Sequence, residues 1–549
     1  MGELPTIVRR FISLMVKLTP LIRPGKGLTD TFEKRLKAIT ASSDVKIAGG
    51  RKGIEKESLR IDAQGYLSQT VHPAALGSAL TNRYITTDFS EALLEFVTPA
   101  YRNTWETLRA ICDIHQFTYA NLADELLWVA SMPCRIPDDG NIPLARYGDS
   151  NVGQMKTIYR RGLGYRYGRN MQTIAGVHFN YSLPEGFWGP YAQLLGDTGG
   201  EDAFRSEQYL ALIRNIRRTG WLLLYLFGSS PALCKSFAGD EHTKMSSFNN
   251  ETWYEPFGTS LRMSDLGYNN QTQSRINIGL NDIDAYIHGL SMAIRTPEPA
   301  YEEIGVKVDG VYRQLNVNQL QIENEYYSPV RPKRVARSGE RPTAALRRGG
   351  VEYVEIRSLD INVFDPCGIN QNTMRFAEAF LIYCLLEDSA PLDDAGLLEA
   401  NANQLETARR GRDPALKLRR NGVETALAIW ANRILDRVSA VAELIDASEG
   451  SDSYMGAVSA ARTLVAEPNA TPSARVLEEM RTTNCSYFDF ALAMSRSHRD
   501  YFTSITALSD ARRDEFVNEA GESVARQRDI EASDDIGLDE YLSQYFAAD

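Results

Sequence analysis

The sequence predicts an α+β fold, and three features of its 549 residues support this class. Short segments in which apolar and polar residues alternate recur from about 51 to 100 and from about 171 to 363. Such alternation is typical of a β-strand with one buried face. Longer helical segments separate these runs, and the chain after about residue 370 is mainly helical. Because helices and strands do not alternate regularly, the pattern favours a sheet with one polar face and one helix-covered face over a βαβ series.

The elements follow in order along the chain. A helix is predicted over 30–41, with Thr29 or Asp30 as its cap and Glu33 in its first turn. The glycines at 49–50 predict a turn before the first strand, which covers 53–60. Further strands are predicted at 93–98, 177–183, 320–326 and 351–357, and helices at 105–127 and 206–227. Beyond these, helices are predicted at 375–386, 425–444, 454–465 and 488–507.

We expect three parts in the chain: an N-terminal extension (1–28), a core of sheet and helices (29–369), and a mainly helical region packed on that core (370–549). The extension mixes basic and apolar residues, and Lys17 and Pro20 interrupt its apolar run. That run is shorter than the roughly 20 apolar residues that span a membrane. We therefore expect an amphipathic helix that packs on the body, and no membrane span anywhere.

Composition narrows the possible partners. The formal net charge of −11 disfavours nonspecific binding to nucleic acid, which needs a basic surface. The six cysteines form no C-x-x-C pair, so neither a zinc knuckle nor a thioredoxin-like motif is supported. Scattered cysteines of this kind are typical of buried free thiols in a reducing compartment. The expected protein is cytoplasmic.

Carboxylates concentrate on the polar faces of the predicted strands. Glu55 and Glu57 lie two residues apart and therefore point to the same side of a strand. Glu95 lies between apolar neighbours, and Glu355 shares a face with Arg357. Since clustered carboxylates repel one another, a cation must offset them, and Mg²⁺ or Mn²⁺ fits oxygen ligands best. For any single glutamate, an ordinary solvent-facing ion pair is the alternative.

Other residues suit a metal or an anion. His178 shares a strand face with Asn180 and Ser182 and is a candidate metal ligand, although a lone histidine on a strand is more often structural. Arginine forks bind carboxylate or phosphate, and tyrosines can wall a small pocket. The candidates for these roles are Tyr159, Arg160, Arg161, Arg262, Tyr268, Tyr327 and the basic segment 331–334. The sequence contains no Walker A motif, so a phosphate site here would not be a P-loop.

Six segments, in order along the chain, resemble the proteobacterial type of glutamate–cysteine ligase. They are 53–60, 85–99, 176–183, 261–268, 321–334 and 351–360. The resemblance extends from about residue 30 to about residue 520. It implies a fold similar to the catalytic domain of glutamine synthetase, in which a curved, largely antiparallel sheet forms a funnel backed by helices. It also implies ATP as a co-substrate and Mg²⁺ ions, with Mn²⁺ as a possible replacement.

The same resemblance implies roles for individual residues. The implied metal ligands are Glu55, Glu57, Asp88, Glu95, His178 and Glu355. The implied cysteine-binding residues are Tyr159, Arg160, Arg262, Tyr268 and Tyr327. Arg357 is expected to meet phosphate or the acyl phosphate, so the residues expected to take part in catalysis are Arg357, Glu55 and Glu355.

The implied reaction is the first step of glutathione biosynthesis. ATP activates the γ-carboxylate of L-glutamate as γ-glutamyl phosphate, and the amine of L-cysteine then displaces phosphate to give γ-glutamylcysteine. We expect a monomer that glutathione inhibits by occupying the substrate sites. Two alternatives are a related carboxylate–amine ligase with another acceptor amine and a noncatalytic metal- or amino-acid-binding regulator.

Overall fold

The centre of the fold is an antiparallel sheet. The computed structural model describes residues 30–133, 135–136, 138–238, 245–267, 273, 276, 278–337 and 339–547. Its strands are β1 (Arg51–Ile61), β2 (Ile85–Thr87), β3 (Leu93–Val97), β4 (Leu126–Leu127), β5 (Val177–Ser182), β6 (Ala232–Cys234), β7 (Ser246–Asn249), β8 (Thr252–Tyr254), β9 (Lys307–Val308), β10 (Val311–Tyr312), β11 (Val330–Lys333), β12 (Tyr353–Leu359), β13 (Lys417–Arg420) and β14 (Val423–Ala426). Seven of them form the main sheet in the order β11-β12-β5-β1-β3-β2, with β4 paired to β1.

Helices surround this sheet and make up most of the last third of the chain. They are α1 (Thr31–Ala41), α2 (Thr104–Tyr119), α3 (Asn151–Tyr167), α4 (Trp188–Leu195), α5 (Glu201–Thr219), α6 (Trp221–Phe227), α7 (Lys235–Ala238), α8 (Ile283–Ala293), α9 (Pro299–Ile304), α10 (Pro342–Gly349), α11 (Gln371–Leu386), α12 (Asp394–Arg410), α13 (Leu427–Glu449), α14 (Ser453–Ala466), α15 (Pro472–Thr482), α16 (Tyr487–Ser504), α17 (Asp510–Ser533) and α18 (Leu538–Ala547).

The two faces of the main sheet differ in chemistry. On one face, Ile54, Phe179 and Ile356 lie side by side on β1, β5 and β12 and are completely or almost completely buried. They belong to the main hydrophobic cluster, which also contains the long buried run of α11. The opposite face carries charged side chains. Successive side chains of a strand point to opposite faces of the sheet. Because the apolar side chains are buried against helices, the charged side chains must point to the other face.

Most predicted elements are confirmed. The first helix begins one residue later than predicted, and Asp30 caps it by accepting a hydrogen bond from the amide of Phe32. Gly49 has a φ of 87°, a backbone conformation that glycine adopts without strain, so the predicted turn is also present. The helices predicted after residue 370 are all present, and the chain between two of them adds the β13–β14 hairpin.

The strand predicted at 320–326 is wrong. This segment instead contains a 3₁₀ turn at Glu323–Glu325. Its alternating polar residues face buried partners and not solvent: Glu323 accepts hydrogen bonds from Arg341 and Thr343. Polar residues that are buried against partners far away in the sequence therefore produce the same alternating pattern as a half-exposed strand.

Two predicted helices are shorter or broken. The helix predicted to reach 127 ends at Tyr119, because the chain turns at Ala123, which has a φ of 50°, before β4 begins. The helix predicted over 206–227 is two helices that meet at Gly220.

The predicted amphipathic helix before residue 29 lies outside the described residues. Among the helices that the structure describes, none combines the length and apolar character of a membrane span. The main hydrophobic cluster contains residues from before and after position 370.

Candidate active site

Strand register collects the predicted acidic residues on one face of the sheet. Glu55 on β1 lies directly opposite His178 on β5, and Glu57 lies opposite Glu95 on β3. On β12, Glu355 lies opposite Asn180, two residues from His178. Directly paired residues in an antiparallel sheet share a face. The register therefore brings together five of the six predicted metal ligands from four strands.

His178 lies between three carboxylates. Its Nδ1 atom is 3.1 Å from Glu55 Oε2 and 3.5 Å from Glu355 Oε1, and its Nε2 atom is 3.8 Å from Glu57 Oε1. Asn180 donates a hydrogen bond of 2.9 Å to the other oxygen of Glu55. Burial raises the pKa of Glu55, but the hydrogen bond and charge of His178 and the charge of Lys333 together outweigh it, so the net shift is downward.

The remaining carboxylates, Glu57, Asp88 and Glu95, lie close enough to one another for their charges to interact. Burial raises the pKa of Glu95 well above its usual value, and the neighbouring charges of Glu55, Asp88 and Glu57 raise it further. Burial also raises the pKa of Glu57. Like charges held this close favour the binding of a cation, which would restore the ionised form of each group.

This donor set fits a hard divalent cation. One ligand atom from each of Glu55, His178 and Glu355 lies within 4.8 Å of the other two. In addition, Glu355 Oε2 is buried and has no hydrogen-bond partner among the described residues, although Lys333 Nζ lies 3.7 Å away. Carboxylate oxygens with one imidazole suit Mg²⁺ or Mn²⁺.

The other half of the same sheet face is cationic. Arg331 and Lys333 on β11 lie beside Glu355 and Tyr353 of β12, and Arg357 is two residues further along that strand. The Arg357 guanidinium donates a 2.9 Å hydrogen bond to Glu355. Burial opposes ionisation of Glu355, but the charges of Lys333, Arg357, His178 and Arg331 together outweigh it and hold its pKa well below the usual value. The face thus has an acidic half, formed by the carboxylates of β1 and β3 together with Glu355, and a basic half, formed by Arg331, Lys333 and Arg357 of β11 and β12.

A cavity of about 650 Å³ lies over this face. All six predicted metal ligands line it, as do Arg357, Tyr159, Arg160 and Tyr327. Helix α3 forms one wall, where Arg160 donates hydrogen bonds to the backbone carbonyls of Asp88 and Lys156. On another wall the Tyr327 hydroxyl lies 3.1 Å from the sulfur of Met263.

Arg262 lies behind the cavity wall, with only 1% of its surface exposed. Its guanidinium donates a 2.9 Å hydrogen bond to the carbonyl of Arg357 and packs against Gly176, where a Cβ atom would come within 2.1 Å of it. The amide of Gly176 in turn donates a 2.6 Å hydrogen bond to Glu57. Arg262 therefore supports the backbone at Arg357, in the basic half, from the side away from the cavity.

Tyr268, the remaining predicted cysteine-binding residue, lies outside the described residues. The structure adds cavity residues that the sequence did not single out. Lys156, Arg166, Asn324 and Glu325 line the cavity, and Lys333 was noticed only as part of a basic segment. Lysine and arginine are mostly exposed, so their positions in a sequence carry little signal of this kind.

Comparison with known proteins decides the family. A family model described as glutamate–cysteine ligase matches residues 36–407. The chain belongs to the glutamate–cysteine ligase family. It is similar to the glutamate–cysteine ligase of Alcanivorax borkumensis, with 48% identity over 522 residues that cover 94% of this chain and 99% of that protein. The corresponding enzyme of Pseudomonas paraeruginosa is 45% identical, covering 95% of this chain and 99% of that protein.

A solved structure agrees with this assignment. The glutamate–cysteine ligase of Francisella tularensis, crystallised in complex with AMP, superposes on this family member with a TM-score of 0.86 at 36% identity. The match covers 92% of this chain and 99% of that one. The predicted α+β fold, with a helix-backed antiparallel sheet and a helical C-terminal part, is confirmed.

Proposed function

We propose that this chain joins the γ-carboxylate of L-glutamate to the amine of L-cysteine and cleaves ATP to ADP and phosphate. The observation that carries the proposal is the division of one sheet face, inside one cavity, into a carboxylate half and a cation half. A phosphoryl transfer between two anionic substrates needs both halves. The relatives, which are named glutamate–cysteine ligases, support the choice of substrates.

The acidic half would hold Mg²⁺ or Mn²⁺. Glu55, His178 and Glu355 are placed for one ion, and Glu57, Asp88 and Glu95 supply ligands for others. When bound, such ions neutralise the charge of the ATP phosphates. His178 touches three of these carboxylates, so it also fixes their relative positions.

In the first step, a γ-carboxylate oxygen of glutamate attacks the γ-phosphorus of ATP, and ADP leaves. Arg357 and Lys333 point from the basic half into the cavity and are placed to contact the phosphoryl oxygens. Their fixed positive charges would stabilise the charge that shifts during transfer. Glu355 holds the Arg357 side chain in this direction.

In the second step, the cysteine amine attacks the activated acyl carbon, and the C–O bond to phosphate breaks. We assign the cysteine pocket to Tyr159, Arg160 and Tyr327 and keep Tyr268 as a further candidate from the sequence, with Arg262 supporting the wall from behind. An arginine and two tyrosines can hold a carboxylate and a small side chain. The AMP bound by the Francisella protein supports an adenine-nucleotide site in the same fold.

The broader assignments follow from this proposal. Residues 29–369 would form the catalytic core, with 370–549 packed on it as one hydrophobic unit. We further propose a cytoplasmic monomer that glutathione inhibits, because this tripeptide contains the γ-glutamylcysteine that the cavity would produce.

The test is ADP formation by the purified chain with ATP, Mg²⁺ and glutamate, with and without cysteine, together with mass analysis of the product. Cysteine-dependent ADP and the mass of γ-glutamylcysteine are expected. If a different amine is the preferred acceptor, the protein is instead a related carboxylate–amine ligase. Binding of ligands without ADP formation with any acceptor would contradict the proposal and favour a regulator.

A further inference from the structure

Lys156 lines the catalytic cavity but belongs to none of the groups assigned so far. It lies on α3, three and four residues before Tyr159 and Arg160. Side chains at these spacings lie on the same side of a helix. Lys156 therefore faces the proposed cysteine pocket from the same wall as two of its residues.

The surroundings of Lys156 are unusual for a lysine. Its ammonium lies 5.3 Å from the centre of the Tyr147 ring, and the Arg160 guanidinium lies 4.5 Å from the same ring. No carboxylate among the described residues forms an ion pair with it. The charged groups that act on it are Arg160 from its own helix and Glu95 from β3.

These surroundings increase the fraction of Lys156 that is a neutral amine. Burial lowers the pKa of Lys156 to about 8, the Arg160 charge lowers it as well, and the Glu95 charge opposes the shift. A base is most effective when its pKa lies near the working pH. An unshifted lysine, with a pKa near 10.4, would be almost fully protonated there.

The second step of the proposed reaction needs such a group. The amine of free cysteine is an ammonium near neutral pH, and it has no lone pair until it loses one proton. After that loss, the nitrogen forms the C–N bond, the C–O bond to phosphate breaks, and the second proton leaves with the departing phosphate as hydrogen phosphate. The first proton needs an acceptor close to the amine.

We propose that Lys156 Nζ is the acceptor of that first proton, so that Lys156 acts as the general base of the ligation step. This inference rests on the proposed function. Neutral Nζ takes the proton and becomes an ammonium, which returns its proton to solvent after product release. The aromatic ring of Tyr147 lies beside Nζ and helps to keep it in place between turnovers.

The two half-reactions can be separated with hydroxylamine, which is largely neutral near pH 7 and needs no base. Wild-type enzyme, Lys156→Met and Lys156→Arg are each assayed with ATP, Mg²⁺ and glutamate, with either cysteine or hydroxylamine as the acceptor. Both substitutions should lower ligation to cysteine by about 10²- to 10⁴-fold. Formation of γ-glutamyl hydroxamate should stay within about threefold of wild type, and this also shows that the variants are folded. Lys37→Met, an exposed lysine of α1, is the matched control and should change neither reaction.

Three outcomes would overturn the inference. If Lys156→Arg retains ligation to cysteine, the positive charge matters and proton transfer does not. If both reactions fall together, Lys156 acts on glutamate activation or on folding. If neither reaction falls, it has no catalytic part. Failure of the wild-type enzyme to form either product would instead overturn the proposed function, and with it the ligation step in which Lys156 would act as the base.

Discussion

Replacing Gly176 with alanine should disturb both halves of the catalytic face from a single position. A Cβ atom at 176 would lie 2.1 Å from a terminal nitrogen of Arg262 and 2.5 Å from the central carbon of its guanidinium. That guanidinium is buried and planar, and its bond to the carbonyl of Arg357 fixes it from the other side. It therefore has to leave its position, or β5 has to move away from Glu57, to which the amide of Gly176 is bonded.

The expected magnitude follows from what is lost. A hydrogen bond from a charged donor contributes about 1.5–3 kcal/mol, and overpacking of a filled interior costs about 1–3 kcal/mol. If the loss of the Arg262 bond is expressed fully in the transition state, kcat/KM for ligation falls between about tenfold and about 150-fold. The free energy of unfolding should fall by about 1–3 kcal/mol through the overpacking.

Steady-state kinetics and urea unfolding measure these two effects. Gly456→Ala is the control, because a Cβ atom there meets no atom within 4 Å and the glycine lies inside α14. That variant should keep full activity and gain about 0.5–1 kcal/mol. A double-mutant cycle with Arg262→Ala gives the decisive result: once the guanidinium is absent, Gly176→Ala should cost little more. Strictly additive losses would refute the contact between Gly176 and Arg262 as the cause.

Three more predictions concern buried charge. Glu355→Gln should lower Mg²⁺-dependent ADP formation at least about 100-fold while circular dichroism still shows folded protein, and retained turnover would remove Glu355 from the proposed metal site. Lys52 and Glu378 form a fully buried ion pair of 2.6 Å. Lys52→Met alone should therefore cost about 3–5 kcal/mol in urea unfolding, and much of this should return in Lys52→Met combined with Glu378→Leu. Burial lowers the pKa of Lys56 from 10.5 to about 8. The unfolded chain then binds more protons than the folded one between these values, so the free energy of unfolding should rise with pH across this window by up to about 3 kcal/mol more in wild type than in Lys56→Met. Parallel pH curves for the two proteins would contradict the shift.

The strands of the catalytic sheet could be predicted because their apolar and polar residues alternate for a simple reason. Ile54 packs on the helix-covered side, so Glu55 on the same strand must face the cavity. The prediction at 320–326 failed because Glu325 is polar and yet buried, where it accepts a hydrogen bond from Arg166. The alternating sequence pattern shows which side chains are polar. It does not show whether a polar side chain is exposed to solvent or is buried and hydrogen-bonded to a residue far away in the sequence.

Strand order limits sequence prediction in another way. The sequence places Glu57 and Glu95 on inward faces, but their adjacency depends on the pairing of β1 with β3. Residues 62–92, which include β2, separate these two strands. The resemblance to a known family assigned both residues to the metal site, but neither it nor periodicity gave the pairing of these strands.

The segregation of charge across the sheet explains why the basic residues were harder to find than the acidic ones. A carboxylate between apolar neighbours, such as Glu95, is conspicuous, because burying an unpaired charge is costly. Lys333, by contrast, looks like an ordinary surface cation until β11 is known to be an edge strand that lies beside β12 and its Arg357. Placing them there makes the two halves interdependent: each cation on β11 or β12 lowers the pKa of Glu355, and the ionised Glu355 holds Arg357 over the cavity. Removing charge from either half should therefore weaken the binding of opposite charge in the other.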